Sequence, residues 1–252
     1  MPRKNRDGAG GRPGVERAGL PRGGRGSTIG IMLELRDVSL ERACGLGGPF
    51  IRRKRFTVAA GLNWRLPERG LALIRGPAGC GKTSLLLLLA GALKPAAGEL
   101  FIDGRPTRRR GGRRRRRLFA GNLYLGPEPA AWQLEERVGE LSDEARAWAA
   151  ELTGLYHDDA TRLGELCRWG RLALALGARL ALRPRALLLD DPAAGLDPGR
   201  IDDLVGAIKK AAADRLVVAA AAEPGSLGAA AGLTLVLAQS SPGHSSSRAA
   251  NS

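Results

Sequence analysis

Histidine is nearly missing from this 252-residue chain, which carries only His157 and His244, and aromatic residues make up only 4% of it. Neither histidine lies near a recognisable motif, so both are read as surface residues. The three cysteines, Cys44, Cys80 and Cys167, stand too far apart for a disulfide framework or a Cys/His metal site. That usage fits a reducing, cytoplasmic setting. Long apolar runs are also lacking: "SLLLLLAGAL" (84–93) is the richest. It falls well short of the roughly 18 residues of a membrane span and reads as a buried helix. The first residues lack the apolar middle of a secretory signal.

Acidic residues are in deficit, with 25 Asp and Glu against 40 Lys and Arg, a formal net charge of +15. The excess is local. Residues 1–31 hold seven basic and two acidic residues, and "RRRGGRRRRR" (108–117) holds eight arginines, so these two segments supply 13 of the 15 charges. Neither has apolar periodicity, and both read as solvated. We take 1–31 as a disordered basic extension, with Met32 as an alternative start, and 240–252 as a disordered low-complexity tail. A nucleic-acid partner is not expected from charge confined in this way. RNA or lipid binding by the arginine run is the alternative.

Between these ends, strand-like and helical stretches alternate. "LELRDVSL" (33–40), "FTVAAGLNWRL" (56–66), "LALIRG" (71–76), "GELFIDGRP" with its Asp-Gly turn, and "LFAGNLYLG" (118–126) read as strands. From about 129 to 168 the spacing becomes helical with both charge signs, which predicts a small helical subdomain. "ALLLD" (186–190), "RLVVAAAA" and "LTLVLA" return to strand character. Between the first two of these, "RIDDLVGAIKK" sets Ile201, Leu204, Val205 and Ile208 on one helical face. This alternation predicts an α/β core with a largely parallel sheet.

"GPAGCGKT" (76–83) satisfies G-x-x-x-x-G-K-[ST] and lies between a predicted strand and a predicted helix, as a phosphate loop requires. Gly76, Gly79 and Gly81 allow successive N–H groups to turn inward around an anion. Pro77, Ala78 and Cys80 complete the loop, with Cys80 at a position the motif leaves free and a maleimide is expected to reach. Lys82 can reach terminal phosphates, and Thr83 can hold Mg²⁺ through its hydroxyl. Ser84 lies in the same first turn of helix, whose dipole favours the anion. Residues 76–84 are therefore assigned to a nucleotide, with ATP and Mg²⁺ as the expected ligands.

"ALLLDDPAAGLDP" (186–198) ends an apolar run in two carboxylates. At the end of a buried strand beside a phosphate loop, Asp190 is placed to orient Mg²⁺, together with Thr83. With "DPAAGLDP" behind it, the sequence resembles the ATP-binding subunits of ABC transporters over roughly residues 32–238. "LKPAAGELFIDGRP" (93–106) and "RLALALGARLALRPRALLLD" resemble further family stretches. Shorter matches, "LYLGPEPAAW" and "LERACG", resemble the haem-exporter ATPase of cytochrome c maturation. The resemblance implies a P-loop NTPase fold, with a RecA-like core and mainly parallel sheet, an antiparallel β region and a helical subdomain, in one ATP-binding domain over 32–239. It also implies a membrane permease partner, a second ATP-binding domain closing over ATP, and a place on the cytoplasmic face of the cell membrane. Lys82 and the carboxylate after Asp190, here Asp191, would act in hydrolysis.

The family pattern is broken in several places. Counting back 24 residues from Asp190 reaches "LCRWG" (166–170) where the resemblance predicts Leu-Ser-Gly-Gly-Gln. Arg168 and Trp169 are expected to crowd a surface that glycines leave open to a phosphate. Asp191 replaces a glutamate and is one methylene shorter; a displacement of about 1 Å can cost on the order of a hundredfold in rate. Ala222 stands where a histidine is expected, and the family's glutamine aligns with Pro127, or with Gln133 if the loop is shifted. No clear aromatic precedes the phosphate loop for adenine stacking, Phe50 being a poor candidate. Two alternatives to a working transporter ATPase follow: a non-hydrolysing ATP-binding relative, and a soluble nucleic-acid-associated one.

Overall fold

The structure is a computed structural model and describes residues 30–44, 54–107, 117–127, 137–154, 158–223 and 225–238. Residues 1–29 of the basic extension, 108–116 of the arginine run, Phe50, Gln133, both histidines and the C-terminal tail lie outside the described residues. Two sheets form the frame. The first is antiparallel, ordered β2 (Lys54–Pro67), β1 (Ile31–Cys44), β4 (Ala97–Ile102) and β5 (Arg105–Pro106). The second is wholly parallel, ordered β6 (Asn122–Leu125), β7 (Ala186–Asp190), β8 (Leu216–Ala221), β3 (Gly70–Arg75) and β9 (Leu233–Val236). Five helices are named: α1 (Lys82–Leu89), α2 (Asp143–Thr153), α3 (Arg168–Ala181), α4 (Pro198–Ala212) and α5 (Gly225–Ala230).

Local sequence accounts for most boundaries. In β1 Leu33 and Leu35, then Val38 and Leu40, are buried in the core, with Met32 and Glu34 beside them buried as well. A bulge resets the alternation between Leu35 and Val38, where Asp37 takes a φ of 51°. The Asp103-Gly104 turn has both residues at positive φ, as a two-residue hairpin loop requires. In α2, Ser142 caps the first turn by accepting from Ala145 N at 3.2 Å, and Gly154 ends the helix in the left-handed region. Among the described residues this helix covers only part of the helical spacing predicted from about 129 to 168. Val138–Glu140 forms only a 3-10 turn before it. The strand predicted over 118–126 is likewise confined to Asn122–Leu125, because 117–119 form a helical turn that buries Phe119.

The core consists of two layers separated by the parallel sheet. Ala186 and Leu188 of β7, Leu216, Val218 and Ala220 of β8, and Ala72 and Ile74 of β3 face α1 and the antiparallel sheet. Leu187 and Leu189, Val217 and Ala219, and Leu71 and Leu73 face α3 and α4. Burial on both faces is why these strands read as unbroken apolar runs. Helix α1 is enclosed between the two sheets, so its Leu-rich sequence has apolar residues on nearly every side. The predicted α4 face is observed, with Leu204, Val205 and Ile208 buried and Ile201 packed beside them. Two ties join the parts. Arg185, before β7, donates two 2.8 Å hydrogen bonds to Asp103 in the β4–β5 turn, and α3 packs across α2 at Gly177. Among the described residues no helix is long and apolar enough to cross a membrane.

A Cβ at Gly177 would lie 2.4 Å from the Ala145 carbonyl oxygen and 3.1 Å from Trp148 Cβ. Alanine in a helix interior is favoured over glycine by about 1 kcal/mol, while overpacking costs about 1–3 kcal/mol. We expect Gly177→Ala to lower unfolding free energy by up to about 2 kcal/mol in urea titrations, and higher stability would contradict this packing.

Candidate functional site

The C-terminal ends of β3, β7 and β8 converge on the glycine-rich loop. Gly76 ends β3 with a φ of 154°, and a Cβ there would fall 2.4 Å from the Leu237 carbonyl oxygen and 2.7 Å from Cys80 Sγ. Only glycine fits between that backbone and that sulfur. The loop then turns through Gly79 and Gly81, both at positive φ, with Cys80 N donating to Pro77 O at 3.3 Å. Lys82 Nζ lies over the loop, donating to Gly76 O at 2.7 Å and Pro77 O at 3.0 Å. Cys80 does not occupy a free position: it is 1% exposed and belongs to the core. The expected reach of a maleimide to this thiol does not hold, because its side chain is the floor beneath Gly76.

Helix α1 begins at Lys82 with Gly81 as an N-cap that has no side-chain acceptor, and its first turn has no acidic residue. Its leading N–H groups therefore have no side-chain cap from the protein. Ser84, 1% exposed, holds a buried hydroxyl oxygen with no hydrogen-bond partner among the described residues. Uncapped amides, an orphan hydroxyl and a lysine at one helix start suit an anion. Thr83 is half-buried in the same turn.

Alternation along β7 puts Asp190 on the face that Ala186 and Leu188 share with α1. The carboxylate is 5% exposed, and its Oδ2 accepts a 2.9 Å hydrogen bond from the Tyr124 hydroxyl on the neighbouring strand β6. Burial first, then the Asp190 carboxylate, raises the Tyr124 pKa above its ordinary value, so the phenol remains a donor. Asp191 follows with its N–H on Ala220 O at 2.9 Å and a φ of 48°. Aspartate tolerates the left-handed region better than most side chains, a local reason for its presence here. Its half-buried carboxylate has no hydrogen-bond partner among the described residues. Asp197, at the far end of the same loop, caps α4 by accepting from Arg200 N at 3.1 Å.

At the start of α3, Cys167 is an exposed N-cap whose Sγ accepts from Gly170 N at 3.5 Å. Trp169 does not crowd the outer surface as expected. It is 6% exposed and packed in the inner layer, with the Arg200 guanidinium 5.7 Å from its ring centroid. Arg168 turns back onto its own chain, donating through Nε to Ala194 O and through Nη1 to Pro127 O at 3.2 Å. It thereby joins α3 to the loop after Asp191 and to the segment after β6. Ala222 is exposed just beyond β8.

The family model described as ABC transporter matches residues 59–194. A protein of Pyrococcus horikoshii named as an ABC transporter ATP-binding protein is 31% identical over 192 residues, 71% of this chain and 68% of the relative. The chain belongs to the ABC transporter family of ATP-binding proteins. A similarly named protein of Streptomyces coelicolor is 36% identical over 60% of this chain and 58% of its own length. The taurine import ATP-binding protein of Pseudomonas savastanoi is 34% identical, over 56% of each chain. The chain thus spans about half to two thirds of these relatives. Among solved structures, an ATP-binding cassette of an ABC transporter in its ADP conformation superposes with a TM-score of 0.64 at 17% identity, over 82% of this chain and 87% of that one. The cbiO1 protein of Clostridium perfringens, part of an ABC transporter complex, gives 0.63 at 18%, over 82% and 85%. These likenesses show the fold, a P-loop NTPase with a parallel and an antiparallel sheet.

In this chain the loop after β3 and Asp190 at the end of β7 lie at the same end of the parallel sheet. A cavity of about 630 Å³ lies at the opposite strand ends among Glu68, Arg183, Arg185, Asp214 and Arg215. It has mixed charge and lies at the strand ends away from the loop. Two contacts were missed by sequence reading: Tyr124 on Asp190, and Arg168 on Ala194. No motif signals either, since each depends on strand and loop neighbours distant in sequence. In native protein we expect maleimide to modify exposed Cys167 and to leave Cys80 intact until denaturant is added. Peptide mass spectrometry showing Cys80 labelled first would refute the packing under Gly76.

Proposed function

We propose that this protein is the ATP-binding subunit of an ABC transporter, binding Mg-ATP and coupling nucleotide-driven closure with a second such domain to a membrane permease on the cytoplasmic face. The observation that carries the reading is the phosphate loop pinned at Gly76, with Lys82, the orphan Ser84 hydroxyl and buried Asp190 on the same side. In this reading the amides of 76–84 hold the phosphates, Lys82 neutralises terminal charge, and Thr83 with Asp190 holds Mg²⁺. The metal supplies charge neutralisation at the terminal phosphates. Asp191 is the group that would orient an attacking water. Relatives named for taurine and Fe(3+) import favour transport inward.

Hydrolysis is weakened in the same reading. Asp191 has a shorter arm than glutamate, Ala222 offers no imidazole, and the α3 start presents Cys167 and a back-folded Arg168 instead of a serine and glycine. A non-hydrolysing ATP-binding relative is the second reading, and those three positions favour it.

Calorimetry should detect Mg-ATP binding that Lys82→Ala weakens by about 10- to 100-fold, as expected for loss of a charge-assisted contact worth about 1.5–3 kcal/mol. No binding by folded wild-type protein would end this reading. With its permease bound, Asp191→Glu should raise turnover by about 10- to 100-fold. Binding without turnover in both proteins would select the non-hydrolysing alternative.

A further inference from the structure

We infer that Tyr124 is a positioning residue for the metal half of the nucleotide site, fixing one oxygen of Asp190 so that the other faces the phosphate loop. The inference rests on the proposed Mg-ATP site and adds a residue to it. Strands β6 and β7 run parallel, with Tyr124 opposite Leu188 and Asp190 two residues further toward the site. The ring packs in the α1 layer beside Leu188, and its hydroxyl reaches forward to Asp190 Oδ2 at 2.9 Å. No other hydrogen bond to this buried carboxylate is found among the described residues.

A buried aspartate held by one donor has one fixed lone-pair direction and one free oxygen. The donor decides which oxygen is free and limits rotation about the terminal torsion, which is otherwise broad. Groups that orient a metal-binding carboxylate in this way commonly alter metal affinity by about 10-fold or more when removed. Phenylalanine keeps the ring and its packing, so the substitution isolates the hydroxyl.

The test is a titration of a fluorescent ATP analogue, with Mg²⁺ varied and, separately, with EDTA present. Tyr124→Phe should raise the half-saturating Mg²⁺ concentration about 10-fold while leaving metal-free nucleotide affinity within about twofold. In an Asp190→Asn background the same substitution should have no further effect on Mg²⁺ dependence. An unchanged Mg²⁺ requirement in Tyr124→Phe, or an equal loss with and without metal, overturns the role of Tyr124 while the site itself stands. Wild-type protein whose nucleotide binding ignores Mg²⁺ overturns the metal site and this role together.

Discussion

The close approach of Gly76 to the end of β9 is the constraint on which the rest of the site depends. Leu237 N donates to Arg75 O at 2.8 Å, which brings the Leu237 carbonyl against the last residue before the loop. Cys80 Sγ closes the gap from beneath. A side chain at 76 would meet backbone on one side and a buried sulfur on the other. The loop therefore leaves the sheet at one place and in one direction, and α1 starts where the ends of β7 and β8 can address it.

That placement depends on α1 being enclosed. A helix between two sheets cannot rotate to relieve a misfit, so the start of α1 keeps its position relative to Asp190. The same enclosure removes water from Ser84 and Asp190, and a polar group without water needs a partner. Tyr124 and Asp190 supply partners to each other. The Ser84 hydroxyl has none among the described residues.

The departures around α3 have a structural logic of their own. Bulky residues where the family has glycines suggest obstruction, but the structure sends them inward and sideways. Trp169 fills the layer beneath the parallel sheet, and Arg168 joins three segments through backbone carbonyls. The α3 start is thus tied to its own chain, and the loop after Asp191 is held partly by Arg168. Asp191, at positive φ, fits a tight turn that aspartate accepts more readily than glutamate.

Much of this could be read from residue order. The phosphate loop, the Asp190 strand, the Asp-Gly hairpin, the buried face of α4 and the largely parallel core follow from local rules: backbone freedom at glycine, periodicity, capping and turn chemistry. Those rules act over a few residues, so the sequence carries them directly. It could not show that β6 is only four residues long, that Cys80 faces inward, that Trp169 turns into the core, or that Tyr124 reaches Asp190. Those outcomes depend on which side of a sheet or helix meets which neighbour across gaps of tens of residues. Only the assembled packing, with both faces of the parallel sheet covered, decides them.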